Sequence, residues 1–122
     1  MNTKPTDAEL EILNILWQEE PKTVREVHDL LKAKSVGYTT ILKQLQVMKE
    51  KGLVKRDETN RSHNYYAAIS QEQAQINMLD HILDKVFNGS KSALFMRALS
   101  AKPSSKEELA EIKAMLESLE VE

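Results

Sequence analysis

The chain has 122 residues, 41% of them hydrophobic and 30% charged, with a formal net charge of −2. That is the composition of one soluble domain, or of one domain with an appendage. Cysteine is absent, which excludes disulfides, thiolate chemistry and cysteine-ligated metal centres, while only three glycines and three prolines disfavour a turn-rich sandwich or barrel.

Helix starts are well marked. Thr6 followed by Glu9 is a capping box, and Leu10, Leu13, Leu16 and Trp17 recur behind it at helical spacing. Pro21 ends this first helix. Thr23 and Glu26 form a second capping box, ahead of Val24, Val27, Leu30 and Leu31 on one face. A connection from Ala33 to Tyr38 contains Gly37. A third helix starts near Thr39, with Ile41, Leu45 and Met48 as its apolar face. Gly52 follows Lys49 and Lys51, as a terminal glycine follows basic residues in a last helical turn.

The period then changes. Leu53 to Asp57 and Asn64 to Ile69 read as two short strands around the polar stretch Glu58 to His63, a β-hairpin. Ser70 and Gln73 form another capping box, and Ile76, Leu79, Leu83 and Val86 make a helix face that ends near Phe87-Asn88-Gly89. Ser90 to Leu99 is short and apolar. Pro103 breaks the chain, and Ser104 with Glu107 caps a last helix carrying Leu109, Ile112, Leu116 and Leu119. The chain is thus mainly α with a small β-hairpin.

Three short helices followed by a hairpin are the order of a winged helix-turn-helix domain, expected over residues 1–70, with a helical segment over 71–122. A helix about 10–12 Å across fits the DNA major groove. The second helix of a helix-turn-helix pair is presented there, and the hairpin wing reaches the flanking backbone. At about 100° per residue, Thr39, Lys43, Gln46 and Glu50 fall opposite the apolar face of the third helix, with Thr40 and Val47 flanking. Thr and Gln side chains can bond base edges, Val47 can touch a thymine methyl, and Lys43 can reach a phosphate or a guanine. At the hairpin tip, Arg61, Ser62 and His63 suit phosphate contacts.

The net charge speaks against a nucleic-acid partner, but its distribution does not. Lys22 to Tyr66 holds ten Lys/Arg against five Asp/Glu, whereas Gln71 to Glu122 holds six against nine. The alternative is a winged helix that docks its hairpin or third helix on another protein. Salt dependence separates the two, because only phosphate contacts release counterions.

Several segments resemble the penicillinase-repressor family of bacterial regulators. They are Asp7 to Trp17 (DAELEILNILW), Thr23 to Val27 (TVREV), Gly37 to Ile41 (GYTTI), Lys51 to Val54 (KGLV), Arg61 to Tyr65 (RSHNY) and Phe87 to Ser90 (FNGS). Their order and spacing together are specific and span nearly the whole chain. The resemblance implies a homodimer that represses transcription from an inverted-repeat operator in double-stranded DNA, with Thr39, Thr40 and Lys43 facing it. It also implies a dimer interface in the C-terminal helices, on Ile76, Leu79, Leu83, Val86, Leu109, Ile112, Leu116 and Leu119. An intrachain core is the other use of those stripes, but about 50 residues in short helices bury little apolar area alone. Copper-sensing relatives carry a cysteine-rich tail, absent here. Antibiotic-responsive relatives are cut by a membrane metalloprotease sensor at an Asn-Phe bond, and the matching position here is Arg97-Ala98. Val36-Gly37-Tyr38 and Val47 also depart from common family residues, which bears on the operator sequence rather than the docking mode.

No catalytic constellation, cofactor or metal site is expected. His28, His63 and His81 lack ligand spacing, and Asp80, His81 and Asp84 read as solvated helix residues. The N-terminus lacks a signal-peptide pattern and no stretch approaches a membrane span, so a cytoplasmic location is expected.

Overall fold

The computed structural model describes residues 4–31 and 35–119. Ala33 and Lys34 of the expected connection lie outside them, as do Lys32 of the basic block and Glu120 and Glu122 of the acidic tail. The first helix, α1 (Asp7–Gln18), opens on the expected box: Thr6 Oγ1 accepts from Glu9 N–H at 3.2 Å and Thr6 N–H donates to Glu9 Oε1 at 2.9 Å. Thr23 and Glu26 do the same for α2 (Val24–Leu30), at 3.2 and 2.9 Å. These bonds satisfy N–H groups that no helical carbonyl can reach.

The third helix, α3 (Tyr38–Lys51), starts one residue before Thr39 and has no side-chain cap. Its end is better determined. Gly52 adopts φ 83° with nothing within 4 Å of where a Cβ would stand, so glycine is there for its backbone conformation, not for space. Leu53 N–H bonds Met48 O at 2.9 Å and Gly52 N–H bonds Lys49 O at 3.1 Å, a Schellman closure.

Strands β1 (Val54–Asp57) and β2 (Asn64–Ala67) pair antiparallel, Val54 opposite Ala67 and Asp57 opposite Asn64. The sheet has a further contact that periodicity does not reveal. Lys22, just before α2, bridges Tyr65: Lys22 N–H donates to Tyr65 O at 3.1 Å and Tyr65 N–H to Lys22 O at 2.8 Å. The wing is thereby laced to the α1–α2 connection. Ile12, Leu13 and Leu16, Val27, Ile41, Leu45 and Met48, with Leu53, Val54 and Tyr65, are all at most 2% exposed. Burial of each large apolar side chain stabilises by about 1.5–3 kcal/mol. Trp17 is fixed by its Nε1–H, which bonds Ile69 O at 2.9 Å. Three helices and a hairpin around one core make a winged helix.

The chain divides into two compact units, Met1–Leu79 and Asp80–Glu122, with the boundary inside α4 (Gln71–Lys85). Ser70 Oγ accepts from Gln73 N–H at 3.0 Å, but the Gln73 amide donates forward to Asn77 at 2.8 Å, so this cap is half a box. Past α4, Asn88 (φ 50°) and Gly89 (φ 80°) turn the chain through the left-handed region. The apolar stretch after Ser90 is a capped helix, α5 (Lys91–Ala101). The last helix, α6 (Lys106–Ser118), is capped by Ser105 rather than Ser104. Each serine has a glutamate three residues on, so the local signal is degenerate by one position. No side chain of α5 or α6 is buried, and in α4 only Ala74 is.

Candidate nucleic-acid interface

Turning Ile41, Leu45 and Met48 into the core leaves the opposite face of α3 to solvent. Thr39, Thr40, Lys43, Gln46 and Val47 are all exposed. They do not face a single depression. Thr40, Lys43 and Val47 border a shallow hollow shared with Thr6 and Glu9 at the start of α1. Gln46 lines a larger groove, of about 570 Å³, whose far wall is the wing: Arg61, Ser62 and His63. Thr39 is exposed in the first turn. The expected residues of α3 and the wing are thus presented by one unit, with a groove between them. Arg61 and Ser62 are exposed, while His63 is half-buried.

The wing tip is shaped by its own polar groups. Asp57 Oδ1 accepts from Thr59 N–H at 3.0 Å, and this bond holds the Asp57 carboxyl below its ordinary value. Glu58 Oε2 accepts from Arg56 Nη2 at 2.6 Å and from Nε at 2.9 Å, and this guanidinium lowers the Glu58 carboxyl.

At the other edge of α3 stands an ion pair between elements distant in sequence. Lys51 Nζ lies 2.9 and 3.0 Å from the two carboxylate oxygens of Glu9. The Glu9 side chain is 6% exposed and that of Lys51 27%. Burial alone raises the Glu9 carboxyl, but the Thr6 N–H and the Lys51 ammonium outweigh it, and the net shift is downward. The pair ties the start of α1 to the end of α3.

Among the described residues, no group of three or more His, Cys, Asp or Glu side chains is placed to hold a metal ion, and no helix is long and apolar enough to cross a membrane.

The family model of the penicillinase repressor matches residues 5–118. The chain belongs to the penicillinase-repressor family. Over 94 residues it is 32% identical to proteins described as transcriptional regulator BlaI from two Mycobacterium tuberculosis strains, CDC 1551 / Oshkosh and ATCC 25618 / H37Rv. The match covers 75% of this chain and 68% of each relative. The chain is a transcriptional repressor and not an enzyme.

In this repressor the groove also holds residues that periodicity did not single out. Arg25 and Thr23 enter from the start of α2, Tyr38 from the start of α3, and Arg56 from β1. All lie in the basic block, which was the available signal. Their convergence depends on the α2–α3 crossing and on the pairing of β1 with β2, neither of which local sequence specifies.

Proposed function

We propose that this repressor acts as a homodimer on an inverted-repeat operator, with α3 in the major groove and the wing on the flanking backbone. The observation that carries the reading is the solvent face of α3, where Thr39, Thr40, Lys43, Gln46 and Val47 stand exposed beside a wing bearing Arg61, Ser62 and His63. Hydrogen-bonding and methyl-bearing groups on a helix suit base edges, and the wing cation suits phosphates.

The division of labour assigns residues 1–70 to DNA and 71–122 to dimerisation. Ile76, Leu79, Val86, Leu109, Leu116 and Leu119 are 44–66% exposed in the single chain, and Leu83 and Ile112 are half-buried. Ile82, Phe95, Met96 and Met115, outside the stripes read from the sequence, are exposed as well. A second copy of the chain covers these apolar side chains. Dyad symmetry then matches half-sites about one DNA turn apart. The setting is the cytoplasm. By family resemblance the input is proteolysis by a membrane metalloprotease sensor, at a cut site of its own, because Arg97-Ala98 in α5 stands where such relatives have the cleaved Asn-Phe bond. Mass mapping of the chain from induced cells tests this input; an intact chain under induction refutes it.

The test of the main reading is fluorescence-anisotropy binding to DNA from upstream of the protein's own gene, against scrambled DNA, at two salt concentrations. Tight, salt-sensitive binding that prefers the native sequence is expected. Weak binding that salt leaves unchanged would favour a protein-docking winged helix.

Two substitutions divide the labour further. Lys43→Ala is expected to weaken operator binding by about 1–3 kcal/mol while leaving the melting temperature unchanged; full affinity would remove Lys43 from the base contacts. Arg61→Ala is expected to weaken native and scrambled DNA alike, and a loss confined to one operator would contradict the wing's backbone role.

A further inference from the structure

The groove between the start of α2 and the wing contains an arrangement that the reading of α3 does not use. The guanidinium carbon of Arg25 lies over the Tyr38 ring, 5.2 Å from its centroid. The same tyrosine also meets His28, edge to face, with centroids 5.9 Å apart. Tyr38 is the first residue of α3 and remains 39% exposed. A cation over an aromatic face is attracted by the ring quadrupole, and a guanidinium keeps its in-plane N–H donors free while stacked.

The groove is bordered by Arg25, Arg56 and Arg61, with Glu26 and Asp29 as its carboxylates. Arg56 is bonded to Glu58. One oxygen of Glu26 is occupied by the Thr23 N–H at 2.9 Å. Across the groove from Arg61, Arg25 presents a cation placed over the Tyr38 ring at the N-terminal edge of α3.

We propose that Arg25 is a second DNA-backbone anchor, on the opposite side of the groove from the wing, and that Tyr38 is its positioning residue. The inference rests on the DNA-binding reading above and deepens it. Arg25 neutralises one phosphate. Tyr38 reads no base; it holds the guanidinium in register with the first turn of α3, so that the helix enters the groove between Arg25 and Arg61. Both residues then act on affinity for any duplex, not on sequence choice.

The experiment measures binding of the full chain to the upstream DNA and to its scrambled counterpart over about 50–200 mM salt. For Arg25→Ala, affinity for both duplexes is expected to fall, and the slope of log K against log salt to shrink by about 0.9, the value for one lost phosphate contact. Tyr38→Phe is expected to behave as the wild type. Tyr38→Leu is expected to weaken both duplexes about three- to tenfold, a loss of the size a cation–π contact supplies. In the Arg25→Ala background, Tyr38→Leu is expected to cost nothing more, because a positioning residue has nothing left to position. Thermal melts serve as the folding control for each variant.

An unchanged salt slope in Arg25→Ala, or additive losses in the double variant, overturns the inference while leaving the repressor reading intact. A wild-type chain that binds neither duplex in a salt-dependent way removes the repressor reading and this inference together.

Discussion

Leu79→Asp is expected to convert the dimer into a monomer at micromolar concentration and to weaken operator binding by about 10²- to 10⁴-fold. The factor follows from linkage. Once one half-site is bound, a dimer meets the second intramolecularly, and that advantage is of this size for joined modules. A monomer keeps only its single-site affinity. Leu79 is 48% exposed in the lone chain, so a carboxylate there leaves the core of the DNA-binding unit undisturbed. In a dimer interface the same carboxylate is desolvated without a partner. Sedimentation checks the oligomer, and anisotropy on full-site and half-site duplexes checks the linkage. An unchanged sedimentation coefficient places Leu79 outside the interface. Leu116→Asp, at a position 52% exposed in α6, gives an independent test of the proposed dimer.

Glu9→Ala is expected to destabilise the folded chain by about 2–4 kcal/mol. Breaking a buried pair from one side costs about 3–5 kcal/mol, and the figure is reduced here because Lys51 keeps 27% of its side chain exposed. The loss combines a stranded ammonium with an unanswered Thr6 N–H. Glu9→Gln keeps the shape and the cap but removes the charge, so it isolates the ion pair. The pair also has a pH signature. The folded Glu9 carboxyl lies below its ordinary value of 4.5, so the unfolded chain binds that proton more readily. The stabilisation is complete above 4.5 and is lost as pH falls through the folded value. Thermal melts of wild type and Glu9→Gln are therefore expected to differ most near neutral pH and to converge in acid. A difference that stays constant on acidification would assign the effect to packing.

The two predictions draw on different levels of the molecule. The Leu79 substitution is expected to act on assembly, at a side chain that a single chain leaves half exposed. Loss of the Glu9 carboxylate acts on the fold, through a side chain that closes the first turn of α1 and reaches the end of α3. The Glu9 substitution spares Thr39, Thr40, Lys43, Gln46 and Val47, so a change in its preference between native and scrambled DNA would point to distortion of α3, whereas the Leu79 substitution is expected to lower that preference through loss of the second half-site alone.

Features legible in the amino-acid order lie within a few residues of their cause. Thr6 with Glu9 and Thr23 with Glu26 each start a helix, because a side chain three residues away answers the first free N–H groups. Gly52 ends α3 because its backbone tolerates the left-handed turn. Ile41, Leu45 and Met48 choose the inner face of α3 by spacing alone, and the outer face follows. Where two local signals were equivalent, as at Ser104 and Ser105, sequence could not choose.

The tertiary structure alone decided what depends on contacts across the chain. The Lys51–Glu9 pair spans 42 residues, the Trp17–Ile69 bond 52, and the Lys22–Tyr65 bridge joins a loop to a strand. No period or cap encodes such meetings; they exist because the core brings the elements together. The same holds for the groove, where Arg25, Tyr38, Gln46 and Arg61 arrive from two helices and the wing. Local hydrogen bonding and helical geometry are written into short segments, whereas the composition of a surface shared by several segments is set only once they pack.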